Sequence, residues 1–165
     1  MNILNKTSFF SLLTFVLISS CSKKPDVEYT APYKLAGEWW ATMKVGGTDV
    51  GAGHHQISTY NTAANSNEIW VDDLKHLYGF KVKATGDIAN KTFTAANALN
   101  PYYVGTAAYP EKVTITNGKV IENAGRTKTG NPVDSIYMEA EFSDDPGKKY
   151  VISGHFRTGF FEDEY

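Results

Sequence analysis

The chain has 165 residues and a formal net charge of −2, enough length for one domain with a real core and too little positive charge for a nucleic-acid partner, which needs a basic stripe. Tyr, Phe, Thr, Val and Gly are abundant, a bias that favours strands and tight turns over helices. Cys21 is the only cysteine, so no disulfide forms within the chain.

In chain order, Phe9 to Ile18 is an apolar run after the weakly basic start at Lys6. It is short of the roughly 20 residues that span a bilayer and has the anatomy of a signal peptide. Ile18-Ser19-Ser20-Cys21 resembles the lipobox of bacterial lipoproteins, which implies removal of residues 1–20 and acylation of Cys21. The address expected is therefore the outer membrane. Lys23 and Lys24 stand where surface-exported lipoproteins of the Bacteroidetes carry acids, so the periplasmic and outward faces both stay open. Residues 21–32 read as the lipidated cysteine and a flexible tether, and residues 33–165 as the folded domain.

The domain opens with Ala36 to Val45, whose alternation puts Trp39, Ala41, Met43 and Val45 on one face and Glu38, Thr42 and Lys44 on the other. Further strands are expected at His54–Asn61, Glu68–Asp73, Leu77–Ala84 (Tyr78, Phe80 and Val82 on one face) and Lys91–Ala95. Residues 97–110 are irregular, with Tyr102, Tyr103 and Tyr109 at a rim that Tyr60 could join. Lys112–Thr116 and Lys119–Glu122 flank Asn117-Gly118, the strongest hairpin signal in the chain. A loop follows over residues 123–131. Val133–Phe142 turns Ile136, Met138, Ala140 and Phe142 to one side, and Lys149–Thr158 is the last strand. About eight short strands and no amphipathic helix predict an all-β, antiparallel, up-and-down eight-stranded β-barrel, since closure removes exposed edges. A two-sheet sandwich is the alternative.

Two patterns carry a family resemblance. Gly37-Glu38-Trp39 is the Gly-x-Trp of lipocalin-like (calycin) barrels, in which the tryptophan plugs the closed end and a basic residue from the last strand packs across it; Arg157 takes that place here. Ala36 to Trp40, Thr59 to Thr62 and Glu68 to Asp73, with the lipobox, resemble the Bacteroidetes lipoproteins called lipid-binding putative hydrolases. The resemblance implies a lipocalin-like barrel, with Trp39 and Arg157 structural, that binds a lipid. Asp134-Ser135-Ile136 also resembles the glycosylation site of exported Bacteroidetes proteins.

The chemistry expected from the residues themselves is sparse. No Gly-x-Ser-x-Gly elbow is present, and His54-His55 and Asp72-Asp73 point to opposite faces of any strand they share, so no metal site is expected. No cofactor is expected either. The best catalytic set would be His55, Asp72 or Asp73, and His155 meeting at one mouth. A barrel interior lined by Ala41, Met43, Tyr78, Phe80, Val82, Ile136, Met138 and Ala140 would hold a small hydrophobic or amphipathic ligand, and the same residues would serve a packed core. Three readings follow: a monomeric, membrane-anchored lipid binder; a hydrolase of lipid-like esters; and an accessory protein whose outer surface binds a glycan or a protein.

Overall fold

A computed structural model describes residues 28–105 and 108–165; Cys21, the signal segment and most of the tether lie outside them. The described chain forms β1 (Gly37–Val45), β2 (Thr48–Asp49), β3 (His55–Asn61), β4 (Glu68–Asp72), β5 (Lys81–Asp87), β6 (Thr92–Leu99), β7 (Lys112–Arg126), β8 (Pro132–Phe142) and β9 (Tyr150–Phe156), with single 3-10 turns at Tyr33–Leu35 and Phe161–Asp163. Each strand pairs antiparallel with the next along β1-β3-β4-β5-β6-β7-β8-β9, and β9 pairs back onto β1. Eight strands thus close into an up-and-down barrel, and β2 is a short hairpin partner at the end of β1.

Inward positions follow the alternation. Trp39, Ala41 and Met43 from β1, Val82 and Ala84 from β5, Val113 and Ile115 from β7, and Ile136, Met138, Ala140 and Phe142 from β8 are all buried in one cluster. Leu35, from the turn before β1, joins them with no exposure.

Three sequence expectations are corrected. The Asn117-Gly118 hairpin does not form: β7 runs unbroken from Lys112 to Arg126 alongside β8. The pair is a bulge, marked by a register shift between Thr116 and Lys119 and by Asn117 at φ 55°. Gly118 is needed because a Cβ there would lie 2.4 Å from the Phe93 carbonyl oxygen on β6. Residues 123–126, expected in a loop, extend β7. The strand expected from Leu77 begins only at Lys81, because residues 74–80 wrap around the Asp73 carboxylate.

Candidate functional site

One end of the barrel is closed by Trp39. Its indole Nε1 donates to Thr59 Oγ1 at 2.9 Å, and that hydroxyl donates to the Leu35 carbonyl at 2.6 Å, tying the entry turn to the barrel floor. Phe156 meets the indole edge-on at 5.6 Å. The glycine of Gly-x-Trp has a steric reason: a Cβ on Gly37 would sit 2.8 Å from the Trp39 ring. Thr59→Val strands an indole N–H and a carbonyl in this dry end, so we expect a loss of about 2–4 kcal/mol in urea unfolding. Arg157 does not cross Trp39. Its guanidinium lies 5.8 Å from the ring centre of Trp40 and pairs with Glu38 and Glu164. Trp39 points inward while Glu38 and Trp40 point outward, and Arg157 joins the outward pair.

The opposite end is the mouth, and residues 73–80 fold into it. Asp73, fully buried, accepts four backbone N–H bonds: Oδ1 from Lys75 and Phe80, both 2.9 Å, and Oδ2 from Tyr78 and Gly79 at 2.8 and 2.7 Å. Asn100 locks the loop from the far side by donating to the carbonyls of Gly79 and Pro110. The loop delivers Tyr78 flat onto Phe142, 3.8 Å between ring centres, with Tyr150 edge-on to both. Burial pushes the Tyr78 hydroxyl far above its ordinary pKa, with a hydrogen bond to Tyr150 adding to the shift. Of the expected lining residues, Ala41, Met43, Phe80, Val82, Ile136, Met138 and Ala140 are each 0–3% exposed and pack on one another. Tyr78, half-buried, is the stopper above them.

Outside β4 and β5, Asp72 collects a second set of groups. It accepts from the hydroxyls of Tyr60 (2.9 Å) and Tyr102 (2.7 Å) and from the Leu74 N–H, and lies 3.5 Å from Lys81 Nζ. Burial, then Asp72, raises the Tyr102 pKa; a hydrogen bond that Lys81 donates to the Tyr60 oxygen is the main cause that raises that of Lys81. Lys81 and Lys83 both lie over the Trp70 ring, at 5.0 and 5.4 Å. Tyr109 sits against Lys75 in the same region, and Tyr103 is exposed.

The expected His55, Asp72 or Asp73, and His155 set is not assembled. His55 shares the inward parity of Ile57 and caps the Gly51 carbonyl at 2.6 Å. His155 points outward, paired in register with Trp40 and contacting the Tyr165 hydroxyl at 3.3 Å. Asp72 is on β4, three strands round the barrel from β9. His54 stacks on Tyr165 at 4.1 Å, and burial, aided by the charge of His155, lowers its pKa. Among the described residues no group of three or more His, Cys, Asp or Glu is placed to hold a metal ion.

The C-terminal tail is pinned to the β7–β8 tip by Asp163, which accepts from the Thr129 hydroxyl (2.6 Å), the Thr129 N–H and the Thr158 hydroxyl. These bonds, the Thr129 hydroxyl foremost, depress its pKa from 3.8 to about 2. A depressed carboxylate stabilises the fold fully above its unfolded pKa and stops doing so as pH falls through its folded one. The stability difference between wild type and Asp163→Asn should therefore be constant above about pH 5 and shrink toward pH 2 in paired chemical-denaturation series.

A closed eight-stranded barrel with a largely apolar interior, one sealed end and a stoppered mouth has the architecture of barrels that hold one small ligand. The family described as lipid-binding putative hydrolase matches residues 24–161, and the chain belongs to that family. No curated protein matches it significantly.

Proposed function

We propose that the protein is a lipoprotein held at the outer membrane through acylated Cys21, and that its barrel takes one lipid-like chain through the mouth. The observation that carries the reading is the character of that mouth. Leu99, Tyr103 and Val104 are 69%, 38% and 75% exposed beside a stopper of one aromatic side chain. The side chains packed directly beneath the stopper, Phe80 and Phe142 among them, are apolar, so a displaced Tyr78 is replaced most favourably by an acyl chain lying on Phe142. The ligand is held by apolar burial, and the polar groups around Asp72 lie outside, where they are suited to its head. The sealed Trp39 end makes the mouth the route of entry.

Native mass spectrometry of residues 22–165, followed by organic extraction, tests this. One bound lipid per chain is expected. Tyr78→Ala should raise uptake of a fluorescent fatty acid. An empty protein that ignores the probe in both forms would refute the reading.

A further inference from the structure

The outside of a closed barrel is convex, so a groove on it needs a cause. Here β7 and β8 overrun the barrel, and their tip lies back on the wall. Asn123, at φ 54°, and a register shift between Ile121 and Gly125 turn the tip. Gly125 then packs so closely on His155 that a Cβ there would lie 2.8 Å from the His155 Cβ. His54 and His155 form the other wall, with Tyr165 of the tail packed against both. Between these walls runs a groove of about 470 Å³, which meets a second of about 440 Å³ at Lys119 and Tyr137.

The floor is one registered row across five strands: Thr42 pairs with Ser153, Ser153 with Tyr137, Tyr137 with Lys119, and Lys119 with Thr92. At one strand spacing per step the row is about 19 Å long. Every member carries a polar head. Ser135, the hydroxyl of the glycosylation-like triplet, lies beside the row, half-buried in β8.

The charges in the larger groove are of one sign. Lys119 and Arg126 line it together with the imidazoles of His54 and His155, and no carboxylate does. This holds in a chain whose net charge is −2. Lys119 is held over the Tyr137 ring at 5.2 Å, and neither Lys119 nor Arg126 has an ion pair among the described residues. Glu139, in the adjoining groove, is engaged by Lys149 at 2.9 Å. Exposed cations beside a line of hydroxyls, with the neighbouring Glu139 already engaged by Lys149 and by the Tyr137 hydroxyl, recognise an oxyanion on a hydroxylated body.

We propose that this outer groove binds a phosphate ester of a polyhydroxylated molecule, free or as the headgroup of a lipid. The site is on the barrel wall, separate from the mouth, so each binding mode can fail without the other.

The test uses the full chain in dodecyl maltoside micelles, titrated by calorimetry with glucose 6-phosphate, glucose and dihexanoyl phosphatidylglycerol. Saturable one-to-one binding of a phosphorylated probe, with none of glucose, is expected. Lys119→Gln/Arg126→Gln should weaken it by at least about tenfold, the loss of one or two charge-assisted bonds. Lys34→Gln/Lys44→Gln removes the same charge from exposed positions that line neither groove and should change it less than about twofold. Glucose 6-phosphate binding the tighter identifies a free ester; phosphatidylglycerol binding the tighter, with the same dependence on Lys119 and Arg126, identifies a headgroup. Absence of binding by both, or equal effects of the two double variants, overturns the proposal.

Discussion

Replacing Asp73 by alanine is expected to lower the unfolding free energy by about 4 kcal/mol, with amide protection lost first at Tyr78, Gly79 and Phe80. Four backbone N–H groups converge on this one carboxylate. Hydrogen bonds to an ionised group are each worth about 1.5–3 kcal/mol, and the groups left behind are dry. The loop also holds Leu74 at φ 54° and Lys75 at φ 63°, a left-handed conformation that bulky L residues resist by about 1–2 kcal/mol each. The amides of those two residues are the ones bonded by Asp72 and Asp73. Remove Asp73 and the strain has nothing to hold it, so the loop opens to water and recovers part of the loss. Asp73→Asn should be nearly as harmful, because an amide NH₂ then faces two N–H donors. Asp72→Asn should cost about 1 kcal/mol, since its tyrosine partners are only half-buried. Urea unfolding with hydrogen exchange separates these cases, and an Asp73→Ala protein within 1 kcal/mol of wild type would refute the account. Because the same loop carries the Tyr78 stopper, the variant should also take up an apolar probe faster than wild type.

That loop marks the limit of what the sequence made legible. The inward faces of β1, β5 and β8 could be read directly, because Trp39-x-Ala41-x-Met43 and Ile136-x-Met138-x-Ala140 alternate with polar residues and burial obeys the same period. Closure could be argued from strand number alone. The Asp72-Asp73 pair, in contrast, looks like chemistry until the chain is folded. The signal that points to structure is the short run from Asp73 to Gly79, aspartate at its head and glycine at its end, where an aspartate commonly caps following backbone N–H groups. Thr59 misleads in the other direction: it is polar yet points inward, and only its partners Trp39 and Leu35, 20 and 24 residues away, account for that. Asn117-Gly118 satisfies the local rule for a hairpin, but β6 and β8 both continue past it, and pairing on two sides outweighs the turn propensity of two residues. The outer groove had no sequence signature at all, since its five floor residues come from five strands and share nothing but register.

The largest effect of adding a single methyl group should fall at Gly154. This residue lies in the seam that closes the barrel, opposite Ala41 of β1 and Ile136 of β8. A Cβ there would stand 2.1 Å from the Trp40 carbonyl oxygen and 2.7 Å from the Ala41 Cα, both backbone atoms of the neighbouring strand. No rotamer change relieves such a contact, so β9 must move away from β1. That motion breaks ladder bonds and loosens Trp39, whose register partner is Phe156 of the same strand. Gly154→Ala should therefore cost more than about 3 kcal/mol, and the midpoint of thermal unfolding should fall by about 10 °C or the barrel should fail to close. Gly147→Ala is the control. It lies in the β8–β9 turn at φ 79° with open space around it, so it carries conformational strain alone, about 1 kcal/mol. If the two variants melt together, the seam tolerates separation and Gly154 has no special role. If Gly154→Ala alone melts early and also exposes Trp39 to a fluorescence quencher, the β1–β9 seam is the contact through which the closed end and the rest of the barrel are stabilised together.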